Sequence, residues 1–410
     1  MQSFDIKKGV RVHYIETDKY KTNTLSFYFY RSLKKEEASL NALLMQVLRR
    51  GGKGYETTAD LERYLEEQYG AVMDTGVRKK GDVQVLYVSF DFVNERYIKG
   101  KITRNVFNIA RDVIFRQEMF AEEYVEQEKT NLKNQIQALI NNKGEYAQIR
   151  CVEEMCGGEA YGICEYGDAA EIDKIDRDML WEYYMNFRAK LDVFMTGTMD
   201  IEWAKGEIFD MTRAADEDYP ISCISPCAGE RRNVTQREQV NQAKLSIGFK
   251  TNTAASKEEY FAMMVYNSIY GGSVFSKLFN NVREKLSLAY HVSSRIDKFK
   301  GVMLVNAGIE MENYKVALDE ILAQAKAVRD GDFTDSELDS AKLASINGIK
   351  SISDNARQTE DYWVGQLLVG RDEGLEELAA EIDKITREQV VEAAQRVEID
   401  TVYFLTGVPE

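Results

Sequence analysis

Histidine and proline are both scarce in this chain, which has two histidines and three prolines among 410 residues. The histidines, His13 and His291, lie in opposite halves of the sequence, so neither a His-x-x-x-His nor a His-x-x-x-x-His spacing occurs. Imidazole nitrogens are the ligands on which many protein zinc sites depend. A metal site built mainly from histidines of this chain alone is therefore excluded.

Positive charge and long apolar segments are also lacking. Lys and Arg number 53 against 68 Asp and Glu, a formal net charge of −15, whereas nucleic-acid-binding domains carry basic patches. No window approaches about 18 uninterrupted apolar residues, and the first fifteen residues lack the apolar core of a secretion signal. We therefore expect a cytoplasmic protein that binds neither nucleic acid nor membrane.

The cysteines are few and widely spaced. They stand at positions 151, 156, 164, 223 and 227, and none belongs to a Cys-x-x-Cys pair. In a reducing compartment such thiols are expected to stay reduced and to serve packing. A labile disulfide between Cys223 and Cys227, or a soft-metal clip there, is the alternative that the spacing leaves open.

Short motifs recur in the same order in the two halves of the chain. The matching segments are 172–177 (IDKIDR) with 382–387 (IDKITR), 193–197 (VFMTG) with 403–407 (YFLTG), 25–26 (LS) with 245–246 (LS), and 51–52 (GG) with 271–272 (GG). Such self-similarity indicates a tandem duplication. Each half should therefore form a domain of the same kind.

Residues 213–236 separate the two halves. They contain Pro220 and Pro226, two of the three prolines, among polar and turn-forming residues. This composition is typical of an interdomain linker. We therefore predict a first domain over residues 1–212, a linker over 213–236 and a second domain over 237–410.

Hydrophobic periodicity predicts the elements within each domain. An amphipathic helix is expected over 36–50, and a half-buried strand over 84–92, where apolar and polar residues alternate. Hairpins should pair 71–77 with 84–92, and 287–296 with 302–310. Further helices are expected at 61–68, 101–116, 121–143, 312–329 and 335–352, the last opened by a Thr334-x-x-Glu337 capping box. Hairpins with segregated helices favour an α+β fold, with an antiparallel sheet in each half.

Residues 271–290, GGSVFSKLFNNVREKLSLAY, carry a specific family resemblance. A Gly-Gly turn, a Ser-x-Leu-Phe helix, Arg-Glu-Lys and a strand opened by Leu-Ala-Tyr follow one another as in the second half of pitrilysin-type zinc peptidases, the inverzincins. The closest resemblance is to their short-chain members that are similar to the mitochondrial processing peptidase. The resemblance implies two homologous domains, each a sheet packed with helices, arranged as a clam shell.

The sequence departs from this family where the zinc should bind. Active members carry His-x-x-Glu-His on a first-half helix before a glycine turn, where two histidines bind zinc and the glutamate activates its water. Aligning the turn on Gly51 places Ala42, Met45 and Gln46 at those positions, and none of them can perform these roles. The family's third ligand is a later glutamate; Glu122, Glu123, Glu126 and Glu128 lie in that region. Without histidines we expect these four to be a solvated helix face, and we assign no metal and no cofactor to this chain.

The second-half residues of the family's active site are present. By resemblance, Arg283 and Tyr290 hold the positions of an arginine and a tyrosine that reach the bound peptide beside the zinc. A guanidinium and a phenol aimed at the carbonyl oxygen would stabilise the negative charge that develops there. The family also binds peptide as a strand added to a sheet edge. The counterpart edge in the first half would be Ala71, Val72, Met73, Asp74, Thr75, Gly76 and Val77.

The resemblance therefore implies a subunit that is inactive alone. We expect a non-catalytic, substrate-binding chain of a heterodimeric zinc metalloendopeptidase, with Arg283 and Tyr290 acting on an unfolded peptide in trans to a zinc-bearing paralogue. The alternative is a catalytically inactive peptide-binding or structural protein of the same fold. A different enzyme in this chain alone finds little support, since a serine nucleophile would lack a base and no phosphate-binding Gly-x-x-x-x-Gly-Lys loop occurs.

Overall fold

The computed structural model describes residues 1–55, 57–216, 218–224, 229–256 and 258–408. They form two compact units. The first comprises Met1–Lys79, Val83–Gln137 and Ile163–Ile221, and the second Lys80–Asp82, Ala138–Gly162 and Ser222–Glu410.

The helices are α1 (Lys35–Leu48), α2 (Thr58–Glu67), α3 (Thr103–Ala110), α4 (Glu122–Asn141), α5 (Lys143–Met155), α6 (Ala169–Lys174), α7 (Arg177–Asn186), α8 (Ile201–Met211), α9 (Glu259–Asn267), α10 (Tyr314–Arg329), α11 (Asp335–Ile352), α12 (Ala356–Leu368), α13 (Leu375–Asp383) and α14 (Arg387–Gln395).

A six-stranded sheet lies at the centre of the first unit, in the order β1-β2-β6-β3-β5-β4. Its strands are β1 (Gln2–Lys7), β2 (Val10–Glu16), β3 (Thr22–Ser32), β4 (Val72–Lys80), β5 (Val83–Val93) and β6 (Lys190–Gly197). The core joins one face of this sheet to the helices, with Phe27 of β3, Leu43 of α1 and Phe107 of α3 fully buried. Burial of each such side chain stabilises the unit by about 1.5–3 kcal/mol.

The second unit is built on a five-stranded sheet in the order β7-β11-β8-β10-β9. Its strands are β7 (Arg232–Glu238), β8 (Ala243–Lys250), β9 (Ala289–Asp297), β10 (Val302–Ile309) and β11 (Glu398–Gly407). Leu245, Ile247 and Phe249 of β8 face a core formed with the helices that follow in sequence. The alternate residues of β8 face α5, and Gly248 allows a close approach because a Cβ there would lie 2.6 Å from the Met155 sulfur.

The two sheets share one topology, as the sequence repeat predicts. β2, β6, β3, β5 and β4 follow the same spatial order as β7, β11, β8, β10 and β9. The predicted antiparallel pairing is found between β1 and β2, β3 and β5, β3 and β6, β8 and β10, β8 and β11, and β9 and β10, whereas β2 with β6 and β7 with β11 are parallel pairs. The reason is that β6 and β11 return to their sheets after long helical stretches, and a parallel neighbour requires such a crossover.

The compact units divide the chain differently from the predicted segments 1–212, 213–236 and 237–410. Helix α5 groups with the second unit, because its apolar face covers the outer face of that sheet around Val302 and Tyr403. Strand β7 begins inside the predicted linker, at Arg232, and pairs with β11. The division of the chain into a first domain, a linker and a homologous second domain at residues 212 and 236 stays a prediction.

Most local predictions agree with the structure. The expected helices and both hairpins form within a few residues of their predicted bounds, and the capping box of α11 is present, with Thr334 and Glu337 each bonded to the other's backbone N–H. The prediction of a half-buried strand is wrong for β5, because Val85 and Ser89 on its second face are also buried. Among the described residues, no helix is long and apolar enough to span a lipid bilayer.

Candidate functional site

The positions aligned with the zinc motif lie on α1, inside the first unit. Ala42 is 3% exposed and Met45 is 1% exposed, and both belong to the apolar core. Nearly the whole length of α1 is buried, whereas an amphipathic helix leaves one face to solvent. The prediction of an amphipathic helix is therefore corrected: α1 is a core helix.

An ion pair and hydrogen bonds surround Glu128, opposite α1. Glu128 lies on α4 and is only 8% exposed. Its carboxylate accepts from the Arg50 guanidinium and, over 3.1 Å, from the Asn131 amide. When the oxygen and nitrogen of the Gln46 side-chain amide are exchanged, the nitrogen donates to the Glu128 carboxylate over 3.2 Å. The expectation of a solvated face holds for Glu122, Glu123 and Glu126, which are exposed, but it is wrong for Glu128, because the tertiary fold provides a cation and amides that pair with it.

These residues do not fit a zinc ion. A catalytic zinc takes three protein ligands and keeps one position for water. Among Ala42, Met45, Gln46 and the residues bonded around Glu128, only Glu128 offers an anionic oxygen, and Arg50 already occupies it. In the part of the chain that the structure describes, no group of three or more His, Cys, Asp or Glu residues could hold a metal. Arg50 and Glu128 form an ion pair beside the positions that were aligned with the zinc motif.

Arg283 and Tyr290 lie at a chain reversal in the second unit. Arg283 belongs to a wide, π-type helical segment, Leu278–Lys285. The chain then turns back at Ser287, whose φ of +50° is in the left-handed region, and the Leu288 N–H donates to the Val282 carbonyl over 2.9 Å. β9 begins directly afterwards and brings Tyr290 beside this segment.

The side chains of Arg283 and Tyr290 are both exposed. Tyr290 is 63% exposed, and its hydroxyl donates to Glu310, which directly follows β10, over 2.5 Å. This hydrogen bond and the negative charge of Glu310 raise the pKa of Tyr290 above its ordinary value. Arg283 lies over the Phe279 ring, 4.9 Å from its centroid, and within 3.5 Å of Glu284. Both side chains are therefore accessible from solvent, and the one hydroxyl proton of Tyr290 is donated to Glu310.

The sequence analysis did not select Val274, Phe275 or Glu310. Val274 and Phe275, between the Gly-Gly turn and the helical segment, are both largely exposed. No signal in the sequence could have identified them, because their exposure is decided by the fold. Glu310 could not have been identified from its neighbours in sequence, because it reaches Tyr290 only through the pairing of β9 with β10.

The predicted peptide-binding segment, Ala71 to Val77, overlaps β4 at one edge of the first sheet. Val72 is exposed, whereas Met73 and Val77 point into the core. Thr75 is tied to α1, because its hydroxyl donates to the Met45 carbonyl over 2.8 Å. The outer backbone groups of an edge strand can pair with another strand. That a peptide binds to β4 in this way stays a prediction.

The histidines and cysteines do not form a site in the described residues. His13 is fully buried in β2, with its ring 2.8 Å from the Ser3 hydroxyl and 3.2 Å from Asp192. His291 is exposed in β9 and contacts Ser293. Cys223 is exposed, and Cys227 lies outside the described residues, so the alternative of a Cys223–Cys227 bridge stays a prediction.

A family model described as "Peptidase M16 inactive domain" matches residues 174–345. The chain is similar over its whole length to "Probable inactive metalloprotease YmfF" of Bacillus subtilis, with 32% identity over 411 residues, covering 97% of this chain and 96% of that protein. A second B. subtilis protein, "Uncharacterized zinc protease YmxG", is 28% identical over 163 residues, 38% of this chain and 39% of that protein.

A solved structure supports the same assignment of the fold. A conserved protein from Enterococcus faecalis V583 superposes with a TM-score of 0.93 at 28% identity, covering all of this chain and 99% of that one. Full coverage at this score means that the strand order and the helix placement described above are shared. The degenerate zinc positions and the Arg283–Tyr290 surface therefore occur within an architecture common to similar proteins.

Proposed function

The chain belongs to the pitrilysin-type peptidase M16 family as one of its inactive members, and we propose that it is the non-catalytic, substrate-binding subunit of a heterodimeric zinc metallopeptidase. The observation that carries the proposal is the contrast between the two parts of the site. Ala42, Met45 and Gln46 leave no zinc site, whereas Arg283 and Tyr290 remain exposed as hydrogen-bond donors.

The chemistry of these two donors requires a second chain. Attack on a peptide bond places negative charge on the carbonyl oxygen, and a positioned donor stabilises that oxygen. Arg283 is a donor of this kind, and Tyr290 would become one by turning its hydroxyl proton from Glu310 to the peptide carbonyl, but this chain lacks the nucleophile. A zinc-bearing paralogue would activate the water, and Arg283 and Tyr290 would contact the peptide carbonyl.

Two further observations support the proposal. B. subtilis has both a relative named as an inactive metalloprotease and one named as a zinc protease, so chains of the two required kinds occur in one organism. Strand β4, which contains Val72 to Val77 of the predicted segment Ala71 to Val77, lies at a sheet edge to which an unfolded peptide would add by backbone hydrogen bonds. A cytoplasmic location, with peptide rather than folded protein as substrate, completes the proposal.

The test is reconstitution with a zinc-bearing paralogue from the same organism. We expect this chain alone to contain no stoichiometric zinc and to leave an unfolded peptide intact, and the mixture to hydrolyse it. In the mixture, Tyr290→Phe should lower kcat by about 100-fold or more, the usual effect of removing one oxyanion donor. Tyr97→Phe is the matched control, since Tyr97 is also exposed but lies in the first unit.

Each contrary result identifies a different error. Zinc and hydrolysis with this chain alone would overturn the non-catalytic role. An unchanged kcat with Tyr290→Phe in an active mixture would remove Tyr290 from the chemistry. If no mixture with a zinc-bearing paralogue forms a complex or gains activity, the alternative of an inactive binding or structural protein replaces the proposal.

A further inference from the structure

A cavity of about 410 Å³ lies within the first unit, between α1, β3 and α7. This volume falls within the range of about 300–1,000 Å³ typical of small-molecule sites. The cavity includes Met45 but neither Arg283 nor Tyr290, and the family's peptide chemistry gives it no role. We propose that it binds an amphiphilic anion, namely a fatty acid whose acyl chain enters the cavity and whose carboxylate stays at the mouth.

The interior of the cavity is apolar. Leu44, Met45 and Leu48 of α1 form one wall and are almost fully buried. Phe29 of β3 and Trp181 of α7 add aromatic surface. A ligand that enters must therefore have an apolar body, since an unpaired polar group would lose its hydrogen bonds to water there.

The polar atoms of the wall are already bonded to the protein. The Tyr184 hydroxyl donates to the Ile114 carbonyl over 3.1 Å. The Gln117 side-chain amide donates to the carbonyls of Gly51 and Val113 over 2.6 and 2.7 Å. These bonds hold the wall in place, and burial raises the pKa of Tyr184.

The mouth of the cavity is cationic. Lys53, Arg116, Arg188 and Arg213 line it and are exposed, and Glu118 is the carboxylate among the lining residues. Arg188 donates to the backbone carbonyls of Met185 and Phe187, which orient its guanidinium without neutralising it.

Asp112 lies near this mouth but does not line the cavity. Its carboxylate interacts with Arg116 and Lys53, and also with Arg111. Even with Asp112 counted, cations predominate here, although the chain as a whole carries a net charge of −15. A local field of this sign attracts an anionic head group and repels a cationic one.

Trp181 provides a reporter for the test, because it lines the cavity and the chain has only three tryptophans. The full chain is titrated below micelle-forming concentrations with dodecanoate, dodecanol and dodecyltrimethylammonium, by tryptophan fluorescence and by calorimetry. We expect dodecanoate to bind at least tenfold more tightly than the cation of equal chain length. From octanoate to decanoate, affinity should rise by up to about fourfold per buried methylene.

Three variants locate the binding site. Ala214→Phe should block the entrance, and Arg213→Gln should weaken dodecanoate binding several-fold; both residues line the mouth and are exposed, so folding should be preserved. Arg49→Gln removes the same charge from an exposed position outside the lining and should leave the affinity unchanged.

Two results would overturn the proposal. Equal affinity for dodecanoate and dodecyltrimethylammonium would show apolar adsorption without recognition of the head group. Dodecanoate binding that is insensitive to both Ala214→Phe and Arg213→Gln would place the ligand elsewhere. Neither readout uses a zinc-bearing partner or a peptidase assay, so this proposal and the proposed function succeed or fail separately.

Discussion

The contact between α1 and α4 in the first unit and the 278–290 segment in the second both contain candidate site positions, yet their polar groups have opposite surroundings. Glu128 is buried and paired with Arg50, whereas Tyr290 and Arg283 extend into solvent. A buried ion pair contributes to a folded core only if both partners remain. An exposed tyrosine and arginine contribute little to folding, so their presence within a family motif calls for an explanation by function.

The internal repeat extends this comparison to α9, the second-unit counterpart of α1. The repeat of Gly51-Gly52 at Gly271-Gly272 aligns Ala42, Met45 and Gln46 with Ala262, Val265 and Tyr266. The three α9 residues are buried, as are Ala42 and Met45. Both helices thus present packing residues where an active member carries its zinc ligands in the first half only. In this chain α1 therefore resembles α9, which carries no zinc ligands at the aligned positions.

The largest expected effect comes from returning a carboxylate to α1. Met45→Glu should lower the free energy of unfolding by about 3 kcal/mol or more at pH 7, because the new group has no partner in an apolar environment. The loss should grow as the pH rises above about 4.3, since the unfolded chain ionises while the buried carboxyl stays protonated. Urea denaturation at several pH values measures this.

Met45→Leu is the control for that substitution, and it should change the stability by less than about 1.5 kcal/mol. If Met45→Glu is as stable as Met45→Leu at pH 7, then α1 is open to water, and the contrast drawn between the two regions fails.

A smaller loss is expected when the ion pair is broken. Arg50→Ala leaves Glu128 with amide partners only, and we expect a loss of about 2–3 kcal/mol, below the 3–5 kcal/mol of a fully buried pair because Arg50 is partly exposed. Arg49→Ala, at the exposed neighbouring position, should stay within about 0.5 kcal/mol. Adding Glu128→Ala to Arg50→Ala should recover part of the lost stability, because no unpaired carboxylate remains. If Arg49→Ala and Arg50→Ala are equally stable, the ion pair between Arg50 and Glu128 has no structural role.

Two tyrosine variants sharpen the comparison within the second unit. Tyr270→Phe should cost about 1–2 kcal/mol, because Tyr270 is fully buried and its hydroxyl donates to the Ile321 carbonyl over 3.1 Å. Tyr290→Phe should change the stability by less than about 0.5 kcal/mol. A stability loss for Tyr290→Phe as large as that for Tyr270→Phe would mean that Tyr290 is retained for folding.

The smallest effect is electrostatic and confined to the exposed site. Glu310→Gln should lower the pKa of Tyr290 toward its ordinary value, because the charge that disfavours the phenolate is removed. Glu312→Gln should lower it less, since Glu312 contributes less to the shift. Titration of ring-labelled tyrosine by NMR, assigned with Tyr290→Phe, measures both; an unchanged pKa in Glu310→Gln would show that the hydrogen bond does not persist in solution.

Local features could be predicted from the sequence because they depend on residues close together in the chain. The period of apolar residues predicted α1, and Thr334 with Glu337 predicted the start of α11. The second buried face of β5 and the strand β7 could not be predicted in this way. Each depends on an element distant in sequence that covers a face or pairs with an edge.

The candidate site divides in the same manner. The residue types at its positions could be read directly from the sequence, and Arg283 and Tyr290 were found through the motif around them. The partners that control those residues were not found. Arg50 reaches Glu128 only because α4 packs against α1, and Glu310 reaches Tyr290 only because β10 pairs with β9.

The sequence by itself determined that this chain cannot assemble the zinc site of its family, because the ability to bind a metal belongs to the residue type, and alanine and methionine at positions 42 and 45 lack it. Only the tertiary structure decided that Glu128 is buried in an ion pair, that Tyr290 is exposed, and that an apolar cavity with a cationic mouth lies beside α1. Burial, pairing and enclosed volume arise from residues brought together across long stretches of chain, and no local pattern encodes them.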